Sequence, residues 1–324
     1  MPRELDEDDV RVRPPRSTRP RTKSRPSHED AATGTVVTVD RGRYRVRVDG
    51  ALVTAVRARE LGRRAVVVGD RVGVVGDVSG RPDTLARVVR VEERTSLLRR
   101  SPDDTDPLER AVVANAEVLV IVTALADPVP RARLIDRCLV AAYDGGLVPL
   151  LCLTKADLAS PDELLALYAP LGVESVVIAR SEGVTSLRDR LQGRTSVLFG
   201  QSGVGKSTIV NQLVPDARRA VGEVTGVGKG RHTSSSAIAL ELPGGGTVID
   251  TPGVRSFGLG HVTPASVLAA FPDLAPWAEE CPVGCDHLGS SCGLDEHLAA
   301  GEITEDRLVS LRRLLTLKDT PEDA

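Results

Sequence analysis

The sequence predicts a multidomain α/β protein in three parts: a small N-terminal β-barrel, an α/β layer with a mainly parallel sheet, and a helical C-terminal part with a metal-binding cluster. Three observations carry this. Five short valine-rich runs punctuated by Gly or Asp fill residues 33–93. From about Ala111 strand-like and helix-like runs alternate. Beyond Pro264, helical fragments flank three cysteines and a histidine that lie within 12 residues. The 324 residues fit two or three domains of roughly 100–200 residues. Hydrophobic residues make up 41% but aromatics only 2%. The cores must therefore be aliphatic, and an aromatic stacking platform for single-stranded nucleic acid is excluded.

Residues 1–30 read as a disordered arm, an acidic stub followed by RVRPPRSTRPRTKSRPS, with seven cations, four prolines and little to bury. The barrel is expected over 31–100. Its strands are TGTVVTV, RYRVRV, ALVTAVRA, VGVVGDV and LARVVRV, which points to a barrel of the OB or SH3 kind. RYRVRV alternates Arg with Tyr or Val, giving one basic face and one core face. The net charge of −3 hides an asymmetry, because residues 10–100 are basic and residues 101–324 acidic. A polyanion partner reached through the first third is expected.

The α/β layer spans 101–262. VLVIVTAL, LVPLLCLT, VESVVIA and TSVLFG are buried strands, separated by the helices RARLIDRCLVAAYDGG, PDELLALYAPLG and SLRDRLQG. Cys138, on an apolar helix face, and Cys152, in a strand, read as packing residues. The last part, 263–324, ends in the amphipathic helix ITEDRLVSLRRLLTLK. No uncharged apolar run reaches the ~18 residues of a membrane span. Met1–Val10 is acidic and lacks an apolar segment, so a cytoplasmic location is expected.

Only five of the 42 cations are lysines, and three of those fall inside motifs. Gly200-Gln201-Ser202-Gly203-Val204-Gly205-Lys206-Ser207 matches G-x-x-x-x-G-K-[ST] between the strand TSVLF and a helix beginning Ser207-Thr208. Glycines let successive N–H groups converge on phosphate oxygens, and the helix N-terminus adds positive potential. Lys206 is expected to bridge the β- and γ-phosphates and Ser207 to ligate Mg²⁺. Thr154-Lys155-Ala156-Asp157 follows the strand LVPLLCL. The Asp157 carboxylate can accept from the two donors on guanine's edge, which adenine lacks, and the Lys155 stem can pack along the base. Asp250-Thr251-Pro252-Gly253 closes the strand GTVID. There Asp250 can reach Mg²⁺ through water and the Gly253 N–H can meet the γ-phosphate. Gly228–Ser236 is a polar loop in which Thr233 is expected to close on Mg²⁺. Many GTPases place a water-orienting Gln after the last glycine of the switch motif. Val254 stands here, and His232 is the nearest polar candidate for that role.

Order adds information. The base motif at 154 precedes the phosphate loop at 200 and the switch motif at 250, the reverse of the ordinary arrangement, so the chain is circularly permuted. Cys281, Cys285, His287 and Cys292 offer three thiolates and an imidazole, the donor set of a closed tetrahedral Zn²⁺ site with a structural role. His297 is an alternative imidazole.

With these motifs in place, the chain from about 33 to 320 resembles the family of ribosome small-subunit-dependent GTPases A, which are circularly permuted bacterial GTPases. The residues that carry the resemblance are RTSLLRRS, TKAD, GQSGVGKST, GKGRHTSSS, DTPGVRSFGL and the Cys/His segment. It implies an OB barrel, a permuted GTPase domain and a zinc-binding C-terminal domain. It also implies GTP hydrolysis to GDP and phosphate, stimulated by the small ribosomal subunit, a role in late maturation of that subunit, and contacts to its RNA. GTP or GDP, Mg²⁺ and one Zn²⁺ are expected, with a monomer and no membrane partner. Two features depart from the family pattern. Thr154 replaces the usual Asn, which predicts a looser tie to the phosphate loop. The zinc spacing is C-x3-C-x-H-x4-C, short by one in both gaps. Two other readings stand beside this one: a GTP-gated RNA clamp with incidental hydrolysis, and a permuted GTPase acting on the large subunit.

Overall fold

The structure, a computed structural model, describes residues 28–62, 66–101, 110–215, 217, 221, 237–251, 258–260, 262–289 and 292–318. Residues 1–27 of the expected arm lie outside them. The five expected barrel strands are all present: β1 (Ala32–Asp40), β2 (Arg43–Val48), β3 (Ala51–Arg57), β4 (Arg71–Gly76) and β5 (Ala86–Val91). They follow the order β1-β2-β3-β5-β4, and β4 pairs back onto β1 to close the barrel. The β3–β5 pair is parallel and the others are antiparallel. Inside sit Val36, Val46, Val53, Val72, Val74 and Val88, with Tyr44 the one ring. A valine core follows from the scarcity of aromatics. On β2 the buried and outward positions alternate as expected, with Tyr44, Val46 and Val48 inside and the arginines outside.

The chain leaves the barrel through the hairpin β6 (Leu97–Arg100) and β7 (Arg110–Ala114). A buried ion pair braces this exit. Asp70, fully buried, accepts from Arg94 Nε and Nη2 at 2.7 and 2.9 Å and from the Val67 N–H at 2.8 Å. Gly69 must be glycine, because its φ is +88° and a Cβ would lie 2.0 Å from the Ala114 carbonyl oxygen.

The second layer is a sheet in which β8 (Val118–Ala124), β9 (Val148–Thr154), β10 (Glu174–Ile178), β11 (Thr195–Phe199) and β13 (Thr247–Asp250) run parallel, in the order β10-β9-β8-β11-β13. β12 (Ile238–Glu241) lies antiparallel to β13. It also pairs with β1 through Thr38 and Ile238, which joins barrel and parallel sheet into one sheet of 11 strands. Helices α1 (Ala132–Asp144), α2 (Asp162–Tyr168), α3 (Thr185–Leu191) and α4 (Lys206–Leu213) match the expected runs. Cys138 and Cys152 are both buried, and burial pushes the Cys152 thiol up to about 12, as befits packing residues.

The C-terminal part holds α5 (Pro264–Leu268), α6 (Ala275–Ala278), α7 (Gly293–Ala299) and α8 (Glu305–Leu315). It docks on the α/β layer through arginines of α8. Arg307 grips Asp273 at 2.6 and 2.8 Å, reaches the Pro170 carbonyl at 2.8 Å and lies over the Phe271 ring. Arg313 lies 3.2 Å from buried Asp136 of α1 and over the Tyr168 ring. Among the described residues no helix is long and apolar enough to cross a membrane.

Candidate nucleotide site and metal centre

The motif residues meet along one edge of the parallel sheet. β9 ends at Thr154, β11 at Phe199 and β13 at Asp250, and ligands of open α/β sheets bind beyond such strand ends. The phosphate loop leaves β11, the strand between β8 and β13. Gly200 passes so close to β8 that a Cβ would lie 2.2 Å from the Val122 carbonyl oxygen. Gly205, left-handed at φ +100°, is the N-cap of α4. Val204 is buried and anchors the loop, while Ser202, Ser207 and Thr208 are exposed.

Lys206 is buried at the loop's mouth. Its Nζ donates to the carbonyls of Gly200 at 2.5 Å and Gln201 at 2.6 Å. Burial pulls its ammonium below the ordinary lysine range, and the charge of Asp250 opposes that. Burial pushes the Asp250 carboxyl up, and Lys206 opposes it. Asp250 Oδ1 is buried with no hydrogen-bond partner among the described residues. A buried carboxylate oxygen without a donor, beside the Ser207 end of α4, has the chemistry of a hard divalent cation site. The residues present therefore fit Mg²⁺.

Thr154 keeps a tie to the phosphate loop. Its hydroxyl lies 2.7 Å from the Val204 carbonyl and 3.3 Å from the Thr123 carbonyl. A hydroxyl has one proton, and the shorter distance assigns it to Val204, so the base-motif strand is bonded directly to the phosphate loop. Lys155 adopts φ +59°, and its Nζ donates to the Asp127 carbonyl. Asp157 is exposed and accepts the Arg180 backbone N–H at 3.1 Å. An ionised carboxylate has about four lone-pair sites, so two guanine donors can still be accommodated. Sequence reasoning missed Asp127 and Arg180. Both act through backbone groups, and the only signal was their place within two residues of the ends of VLVIVTAL and VESVVIA. His232, Thr233, Gly253 and Val254 lie outside the described residues.

The four expected zinc ligands come together. The donor atoms of Cys281, Cys285, His287 and Cys292 all lie within 4.8 Å of one another. Cys281 Sγ to Cys292 Sγ is 3.7 Å, and Cys292 Sγ to His287 Nδ1 is 3.6 Å. With Zn–S near 2.3 Å and Zn–N near 2.0–2.1 Å, a tetrahedron has S–S and S–N edges of about 3.8 and 3.6 Å. The group fits zinc despite its shortened gaps. His297 is committed elsewhere. Nδ1 meets Glu302 at 2.6 Å, Nε2 meets Glu280 at 3.4 Å, and the ring stacks on Trp277.

A phosphate loop after a central parallel strand, preceded in the chain by the base motif and followed by the switch aspartate, defines a circularly permuted P-loop GTPase. A family model described as RsgA GTPase matches residues 91–260. Small ribosomal subunit biogenesis GTPase RsgA of Pseudomonas syringae pv. tomato is 40% identical over 271 residues, which cover 80% of this chain and 76% of that protein. The same-named protein of Pseudomonas fluorescens is 39% identical over 262 residues, covering 78% and 74%. The crystal structure of YjeQ from Thermotoga maritima superposes with a TM-score of 0.64 at 26% identity, over 88% of this chain and 97% of that one. YloQ, described as a circularly permuted GTPase, gives 0.64 at 22% identity over 92% and 99% and shows the same fold. The chain belongs to the RsgA GTPase family, and it is a GTP hydrolase.

Proposed function

We propose that this GTPase binds the small ribosomal subunit and assists its late maturation, hydrolysing GTP to GDP and phosphate under stimulation by the subunit. The observation that carries the reading is a permuted GTPase site flanked by a closed five-stranded barrel and a Cys3His group, in a chain 40% identical to a small ribosomal subunit biogenesis GTPase. The same combination argues against the large-subunit reading and the incidental-hydrolysis reading. The working division is a basic arm at 1–30, an RNA-binding barrel at 31–100, the GTPase domain at 101–262 and the zinc domain at 263–324. The protein acts as a monomer in the cytoplasm, where its substrate particle is made.

In this reading Asp157 and Lys155 hold guanine, and Thr154 keeps their turn in register with the loop. Gly200, Gln201, Ser202, Gly203, Val204, Gly205 and Thr208 line the phosphates. Lys206 gives up its two loop carbonyls to meet the β- and γ-phosphates, where its charge offsets the charge that develops in the transition state. Ser207, Thr233 and Asp250 would hold Mg²⁺, which supplies charge neutralisation on the phosphate oxygens. The Gly253 N–H meets the γ-phosphate. His232 accepts a hydrogen bond from the attacking water once the particle orders its loop. His232→Ala is then expected to bind GTP and the subunit normally and to lose most of the stimulated turnover.

The barrel meets ribosomal RNA through outward arginines such as Arg43, Arg57, Arg59 and Arg87, the last three lining one surface pocket. Arg47 contributes less, because it pairs with Glu241 at 2.8 Å. Co-sedimentation with purified small and large subunits tests the reading. Binding to small subunits alone, stronger with a non-hydrolysable GTP analogue than with GDP and weakening steeply with salt, is expected. Equal binding to large subunits overturns it.

A further inference from the structure

We propose that Arg312 on α8 is the positioning residue of the zinc centre, clamping the ligand loop and balancing its charge. The proposal rests on reading Cys281, Cys285, His287 and Cys292 as a zinc site. The stretch from Cys281 to Cys292 contains no helix or strand among its described residues, so its shape must be held from outside. One guanidinium does this. Arg312 Nε donates to the His287 carbonyl at 3.0 Å. Nη2 donates to Asp295 Oδ2 at 2.8 Å and reaches the Gly289 carbonyl at 3.4 Å. His287 is a ligand, and Asp295 lies in the first turn of α7, whose N-cap is the ligand Cys292. Both halves of the ligand set are therefore fastened to one planar fork.

Charge points the same way. Three thiolates around a dication leave a negative excess, and the Arg312 guanidinium, held on the His287 carbonyl, brings a positive charge to the same loop. The neighbouring imidazole of His297 is taken up by Glu302 and Glu280. Lysine could supply the charge but not the fork, because its ammonium is a single point donor on a flexible stem. Groups that orient metal ligands from behind typically contribute 10- to 100-fold in affinity. The partners of Arg312 are His287, Gly289 and Asp295 of the zinc segment and its following helix, so its effect is read on the metal and not on turnover.

The test uses the full chain purified with zinc. Zinc affinity is measured by chelator competition, release is followed with a chromogenic chelator, and cobalt replaces zinc to give a thiolate-to-cobalt absorption spectrum. Arg312→Gln is expected to weaken zinc about 10- to 100-fold, to speed release, and to change the cobalt spectrum. Arg312→Lys should recover part of the affinity but not the parent spectrum. If Arg312→Gln fails to fold, Arg312→Lys and Asp295→Asn decide, and each should bind zinc several-fold more weakly than the parent. A parent that holds zinc while these variants match it within twofold overturns the proposal. A parent that holds no zinc overturns instead the zinc reading beneath it.

Discussion

Replacing Thr154 with valine changes one atom type at a buried junction. The isostere keeps the volume between β9 and the phosphate loop and deletes the hydroxyl that donates to the Val204 carbonyl at 2.7 Å. Thr154 is 5% exposed and Val204 1% exposed, so water does not replace the lost donor. A buried acceptor left without a partner costs about 1–3 kcal/mol. If the whole cost falls on the nucleotide-binding conformation of the loop, affinity drops about 5- to 150-fold, at 1.4 kcal/mol per tenfold. If part falls on the free protein, that part shows as a lower melting temperature instead. GDP and GTP should lose equally, because Val204 belongs to the loop and not to the switch segments. Titration with fluorescent GDP and GTP analogues, beside thermal melts, measures both components. Thr154→Ser should behave as the parent, since it keeps the donor. A Thr154→Val variant with unchanged affinity and unchanged melting would refute the claim that this hydroxyl ties the base motif to the loop.

Further expectations concern other residues. Asp157→Asn should lose GTP affinity and gain tolerance for xanthosine nucleotides, whose altered edge suits an amide; normal GTP binding would place guanine recognition elsewhere. Metal analysis of chain purified without chelators should give about one zinc per chain, and a folded zinc-free C-terminal part would contradict that. Asp136 carries a pH effect. Burial raises its carboxyl to about 6 from an ordinary 3.8, against the pull of Arg313. The folded state then binds the proton more tightly than the unfolded state, so stability from this group is full below about 4 and falls as pH rises through about 6. Asp136→Asn should flatten the melting profile across that window, and an unchanged slope would reject the assignment.

The barrel was legible because valine alternation and Gly or Asp punctuation both survive in so short a span, and because few aromatics left only one kind of core. The nucleotide motifs were legible because phosphate chemistry demands glycines and a lysine at fixed spacing. The pairing of β12 with β1 was not, since it rests on a single register point, Thr38 with Ile238. The β6–β7 hairpin escaped because LLRR and RAVVA are short and are separated by residues 101–109. The partners of Lys155 and Asp157 are backbone groups of Asp127 and Arg180, and a sequence does not show where a carbonyl or N–H lies. Thr154 bonds the Val204 carbonyl because the loop comes within reach of its short side chain, an approach that a sequence does not show. The pattern of ITEDRLVSLRRLLTLK gives an amphipathic helix but no partners for Arg307, Arg312 and Arg313. In the structure their guanidiniums turn inward to carboxylates, carbonyls and rings.

In the proposed function this permuted GTPase is completed by one ribosomal particle. Steady-state GTP hydrolysis by the full chain, alone and with purified small subunits, large subunits and intact ribosomes, tests it most directly. Slow turnover alone, strong stimulation by small subunits, none by large subunits, and loss of all activity in Lys206→Ala are expected. Turnover that is the same with and without small subunits, or raised equally by large ones, would contradict it.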